Sequence, residues 1–206
     1  KYHAYPVGSC KYSDITVFSF HPVKIITTGE GGMITTNNEN LFIKLRTLRS
    51  HGITKDPNKF RSMKKFSWSY EQQYLGFNYR MSDINAALGM SQLERLDDIV
   101  VQRNNLFANY KNLLKNLPLR LLEIPKNITS SVHLSVILLN DDIKNQHEKI
   151  FNLMRKSKIG VQLHYIPVHT QPFFKELGFK EDDYPVALNY SKRAISIPLF
   201  IGLSES

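Results

Sequence analysis

The sequence predicts an α/β chain in two parts, on three observations. An apolar, β-branched run from Asp14 to Phe20 leads into a glycine-rich turn and then an amphipathic helix. A helical stripe of apolar residues runs from Ser82 to Pro118. Beyond it, residues 132–165 alternate strand, helix and strand, which makes a β-α-β unit.

Asp14–Phe20 is nearly all apolar or β-branched and reads as a buried strand. Thr27–Gly32 is a turn, and Met33–Thr36 returns as a short strand with Ile34 inside. Leu41, Leu45 and Leu48 fall at helical spacing, so Asn40–Arg49 is an amphipathic helix, stopped by Gly52. His51 beside that glycine belongs to the helix terminus. Thr54–Gln73 is polar, basic and aromatic with no clean period, a loop of a length that usually carries function or mobility. Its Phe66, Trp68 and Tyr70 either stack on a nucleotide base or pack the loop.

Ser82 is placed to cap a helix. The stripe that follows fits one long helix or two abutting ones, with a bend near Asp97–Asp98, and it ends at Pro118. Val132–Leu139 is then a strand, Asn145–Lys158 a helix and Gly160–Tyr165 a strand. Ala187–Pro198 adds a helix and an edge strand. The chain is thereby divided into a first domain over 1–80, a connecting helix over 81–118 and a small α/β domain over 119–206.

Composition bounds the function. Lys and Arg number 27 against 18 acids, a net charge of +9. The basic residues are scattered, apart from a cluster at Lys59, Arg61, Lys64 and Lys65. They either solvate the surface or attract a phosphate-bearing substrate. No basic block or Arg/Gly/aromatic pattern points to nucleic acid, and no apolar stretch is long enough to span a bilayer. The single cysteine, Cys10, excludes an internal disulfide and fits a cytoplasmic location. His164 and His169 lack accompanying carboxylates or thiolates, so no metal site is expected. The Gly29-Glu30-Gly31-Gly32 turn is not a P-loop, because no Gly-Lys-Ser/Thr follows.

The residue that carries chemistry is Lys24. It follows the first strand and precedes the glycine-rich turn, so an amine is set where little side-chain bulk surrounds it. Such an amine can attack a carbonyl. Ser19-Phe20-His21-Pro22-Val23-Lys24 followed by Thr27-Thr28-Gly29-Glu30-Gly31-Gly32 resembles the cofactor-lysine motif of the DegT/DnrJ/EryC1/StrS sugar aminotransferases. Arg49-Ser50-His51-Gly52, the run from Gly76 to Gly89 (GFNYRMSDINAALG) and His164-Tyr165-Ile166-Pro167 are similar to three further family motifs, in the family's order.

The resemblance implies a partial fold-type-I large domain with a mixed, mostly parallel sheet, followed by a smaller α/β domain. It implies pyridoxal 5'-phosphate as cofactor, held by Lys24, which also moves the catalytic proton. Ser19 would bond the cofactor phosphate, or else be a small core residue. Asn78 would reach the phosphate of a neighbouring subunit's cofactor, or else cap the turn at Arg80-Met81. His164 and Tyr165 would touch the sugar or orient the cofactor, or else serve the small domain's structure. The implied reaction moves an amino group from glutamate to the C4 keto group of a nucleotide-linked 4-keto-6-deoxy sugar. Ser131-Val132-His133-Leu134 and Phe18–Lys24 look most like the UDP-linked branch that leads to pseudaminic acid. A homodimer with shared active sites is implied, with no nucleic acid or membrane partner. A sugar dehydratase on this fold would carry histidine in place of Lys24, and a non-catalytic binding protein is the remaining alternative.

Two departures from the family are visible. The acidic partner of the cofactor ring nitrogen and most of the large sheet would lie upstream of Lys1, and the family's last helix is cut after Ser206. The expectation is a fragment of a longer protein, inactive alone, with its first strand exposed and prone to aggregate.

Overall fold

The computed structural model describes residues 1–62 and 66–203. Lys64 and Lys65 of the basic cluster, and the chain end at Ser206, lie outside the described residues. The chain divides into two compact units, Lys1–Leu96 and Asp97–Ser206.

In the first unit, β1 (Thr16–Ser19) pairs antiparallel with β2 (Gly32–Thr35), with Val17 opposite Ile34 and Ser19 opposite Gly32. The buried strand expected here is not observed: Val17 is 70% exposed and Ile34, expected inside, is 45% exposed. Among the described residues the ribbon is a two-stranded sheet, with no further strand paired to either edge. Helix α1 (Glu39–Arg49) starts where the Asn38 side chain accepts from Leu41 N at 3.1 Å. It ends through His51 and Gly52, both at positive φ. A two-residue ladder, β3 (Ile53–Thr54) with β4 (Glu71–Gln72), closes the long loop between them. Helix α2 (Asp83–Leu93) is capped by Ser82, whose hydroxyl accepts from Asn85 N at 3.3 Å. The apolar stripe therefore breaks into two helices, and the break falls at Glu94–Arg95, just before the predicted bend.

The second unit opens with α3 (Leu96–Leu113). The compact units part at Leu96, inside the stretch read as a connecting helix, because Phe107, Tyr110 and Leu114 pack into the second unit's core. The sheet has the order β5-β6-β7: β5 (Leu119–Leu121), β6 (Ser135–Leu139) and β7 (Ala194–Ile197), all antiparallel. Both faces of β6 are covered, which is why its sequence, SVILL, is a continuous rather than alternating apolar run. Ile137 and Leu139 pack with Ile195, Ile197 and Val161 beneath Ile150, Phe151 and Met154 of α4 (His147–Lys156). Val136 and Leu138 face the other way, toward Leu163 and Tyr190. The remaining helices are α5 (Pro172–Glu176) and α6 (Pro185–Ser191).

Two expectations need correction. Gly160–Tyr165 is not a strand; it makes one isolated bridge, Gln162 with Ser196, because Val161 turns in to the core with its N–H bonded to Ile159 O. Among the described residues every named strand pair is antiparallel, so the mostly parallel sheet is not displayed by this chain.

Candidate functional site

Lys24 lies in the loop between β1 and β2, and that loop is organised around Thr28, which is only 3% exposed. Thr28 N donates to Phe20 O at 3.0 Å, and its hydroxyl donates to Glu30 O at 2.8 Å. Phe20 N donates to Gly31 O, Thr27 Oγ1 donates to Phe20 O, and Lys24 N donates to His21 O. These bonds hold the loop's shape without using the Lys24 side chain. Among the described residues the Lys24 amine has no hydrogen bond or ion pair. At Gly31, at φ +154°, an added Cβ would stand 2.5 Å from Thr28 Oγ1, so the turn requires glycine.

The first turn of α2 braces this loop. Asn85 donates through Nδ2 to Thr28 O at 2.6 Å and Glu30 O at 3.1 Å. A Cβ on Gly89 would stand 2.7 Å from Thr28 Cγ2, so the missing side chain lets the helix approach. Sequence patterning does not single out Asn85 as a site-building residue. Its available signal was position: it stands three residues after the helix cap, where a short amide could either serve the cap or turn toward a neighbouring loop.

Ser19 ends β1 on its exposed face, and its hydroxyl has no partner among the described residues. Asn78 is placed by a backbone crossing. His51 N donates to Phe77 O, Phe77 N to Leu48 O and Tyr79 N to Arg49 O, so Asn78 bridges Ser50 at the end of α1. The Asn78 side chain is exposed and makes no bond to Arg80 or Met81 among the described residues, so no turn-capping bond is formed. Lys24, Ser19 and Asn78 all belong to the first unit.

His164 and Tyr165 belong to the second unit. His164 Nδ1 bonds Ser196 Oγ on β7 at 2.8 Å, and Tyr190 donates to the His164 carbonyl at 3.3 Å. Ser196 is a second residue the sequence did not single out; it fixes the imidazole. Tyr165 stands edge-on to His164 and its ring is exposed. Among the described residues no group of three or more His, Cys, Asp or Glu is arranged to hold a metal ion, and no helix is long and apolar enough to cross a membrane.

The side chains fit pyridoxal phosphate by donor chemistry. An uncommitted primary amine can bond an aldehyde carbon, and an exposed hydroxyl and an exposed amide can donate to phosphate oxygens. Lys24, Ser19 and Asn78 are side chains of those three kinds, each with its polar head unengaged among the described residues.

Comparison with known proteins shows the family. Residues 1–206 match the DegT/DnrJ/EryC1/StrS aminotransferase family. The spore coat polysaccharide biosynthesis protein SpsC of Bacillus subtilis is 38% identical, over 93% of this chain and 50% of its own length. The UDP-4-amino-4,6-dideoxy-N-acetyl-beta-L-altrosamine transaminase of Campylobacter jejuni strain 81-176 is 39% identical, over 96% of this chain and 50% of its own. Among solved structures, Helicobacter pylori PseC, an aminotransferase involved in pseudoaminic acid biosynthesis, superposes with TM-score 0.83 at 30% identity, covering 94% of this chain and 50% of that one. A Streptococcus pneumoniae protein solved in PMP- and PLP-forms superposes with TM-scores of 0.88 and 0.87, at 29% and 28% identity, over 99% of this chain and 52% and 50% of its own. The chain spans about half the length of the curated relatives it matches.

Proposed function

The chain belongs to the DegT/DnrJ/EryC1/StrS aminotransferase family, with a fold-type-I architecture, and from that premise we propose that the protein containing it is a pyridoxal-phosphate aminotransferase of nucleotide-linked sugars. The amino donor is glutamate, and the acceptor is the C4 ketone of a UDP-linked 4-keto-6-deoxy sugar. The observation that carries this is the Lys24 amine, uncommitted in a loop held by bonds among Phe20, His21, Thr27, Thr28, Glu30 and Gly31. The UDP-sugar assignment draws its support from the transaminases that match this chain.

The bound cofactor supplies an electron sink that lets a substrate C–H bond ionise. Lys24 would hold the cofactor through Nζ, and its free amine would take a substrate proton at Nζ and return it, as general base and general acid. Ser19 and Asn78 hold the phosphate end by donating hydrogen bonds. The brace from Asn85 to Thr28 and Glu30 keeps the loop from relaxing as Lys24 changes roles. In the second unit, Ser196 orients His164, and Tyr165 offers an exposed phenol to the sugar. A dehydratase is disfavoured because the position expected to carry histidine carries lysine. The working form is a homodimer in the cytoplasm, with Asn78 serving the neighbouring subunit's cofactor.

The test uses the full-length protein with glutamate and a panel of UDP-, GDP- and dTDP-4-keto sugars. Amine product from the UDP sugar is expected, and Lys24→Ala should abolish it while leaving the circular dichroism spectrum intact. Undiminished turnover in Lys24→Ala would refute the assignment.

A further inference from the structure

The loop between β3 and β4 carries the chain's only tryptophan, and the structure does not use it for packing: Trp68 is 76% exposed. Phe66 lies parallel to it, ring centroids 5.1 Å apart and planes 4° from coplanar, and is itself exposed. In the described parts of the loop, polar contacts engage the backbone and leave both rings out. Glu71 accepts from Arg61 N at 2.6 Å and Ser62 N at 2.8 Å, and Gln73 Nε2 donates to Lys59 O. At the tip, Phe66 N donates to Ser69 Oγ and Ser69 N returns a bond to Phe66 O. Stretch 57–70 contains no acidic residue; Lys59 and Arg61 precede the rings in the chain, and the Arg61 guanidinium lies 5.9 Å from the Tyr74 ring centroid. Lys59 reaches one carboxylate, Asp56, at 3.7 Å, and Arg61 has no carboxylate partner among the described residues.

A segment meant to be sealed beneath another polypeptide would bury cations without counter-charges, which costs heavily. A cationic segment with an exposed, parallel ring pair instead suits a ligand that is flat at one end and anionic at the other. We propose that this loop is the nucleotide-reading arm of the protein: the Phe66–Trp68 pair stacks on the base of a nucleoside diphosphate, while Lys59 and Arg61 attract its phosphates. The proposal rests on a nucleotide-linked substrate as assigned above and adds the residues that read its base. A third planar ring extends the existing stack without rearranging it, and stacking tolerates any base because every base presents a π face.

The test uses the full-length protein with its cofactor, and UDP, inorganic diphosphate and a short oligouridine as probes. The Trp68 signal is the emission lost between wild type and Trp68→Phe. UDP should quench that signal and diphosphate should not. Trp68→Ala should weaken UDP by between about 5- and 150-fold, the range expected for one base–aromatic stack. It should leave diphosphate binding unchanged, and Trp68→Phe should restore most of the loss. Unchanged UDP affinity in Trp68→Ala would overturn the proposal, as would equal weakening of UDP and diphosphate, which signals a collapsed loop. Oligouridine displacing UDP with a steep salt dependence would also overturn it, marking a nucleic-acid surface. If no nucleotide sugar is aminated but Trp68 still reads UDP, the enzymatic assignment fails and the binding arm stands.

Discussion

Gly52→Ala is the substitution whose outcome the geometry constrains most tightly. Gly52 sits at φ +69°, and a Cβ there would stand 1.9 Å from Tyr74 O and 2.6 Å from Tyr74 C. The facing residue is equally confined: a Cβ on Gly76 would stand 2.2 Å from Gly52 N. Neither obstacle is a flexible side chain, so the backbone itself must separate. Separation breaks the bonds from Gln73 N and Tyr74 N to Gly52 O, at 2.7 and 3.3 Å, and strains that from His51 N to Phe77 O. Left-handed backbone costs an alanine roughly 1–2 kcal/mol, and each of the two lost backbone bonds about 1 kcal/mol, for a total of about 3–4 kcal/mol. The measurement is urea unfolding of the full-length protein, paired with cofactor titration, since the crossing also places Asn78. Gly160→Ala is the control, because nothing lies within 4 Å of its added Cβ; it should be neutral. A Gly52→Ala protein as stable as wild type, binding cofactor equally well, would refute the crossing as the device that positions Asn78.

Three further expectations follow from other parts of the chain. Leu139→Ala empties a site 1% exposed between β5, β7 and α4 and should cost about 2–5 kcal/mol, read by denaturant unfolding; a loss no greater than for an exposed leucine would contradict that core. Bonds from Ser62 and from Arg61 N hold the Glu71 carboxyl down at about 2, from an ordinary 4.5. A depressed carboxylate stabilises above its unfolded value, so the loop's contribution should be complete above pH 4.5 and fade as pH falls toward 2. Hydrogen exchange at Arg61 and Ser62 should follow that course in wild type and lose it in Glu71→Gln. Ser196→Ala should free the His164 ring and raise KM for the sugar more than it lowers kcat, provided His164 meets substrate; an unchanged KM would restrict His164 to holding the small domain together.

Much of the local structure was legible in the residues. Asn38 and Ser82 announce their helices because capping is settled within a few residues of chain, and the stop at Gly52 is announced by a glycine that tolerates positive φ. The setting of Lys24 could be read likewise, since a strand, a turn and three glycines lie within one short window. Other features were out of reach. Val161 looked like part of a strand, but whether it pairs depends on β7, more than thirty residues away, and only Gln162 finds a partner there. The exposure of Val17 and Ile34 could not be known from their apolar character, which states a preference for burial without saying what does the burying. Nor could the sequence show that Asn85 crosses to Thr28, or that Gly52 and Gly76 touch. Sequence by itself determined most of the elements, the caps at Asn38 and Ser82 and the glycine turn that follows Lys24, because those depend on neighbours along the chain. Tertiary structure alone decided which backbones meet and which side chains are left unengaged, because those depend on contacts between residues far apart in sequence.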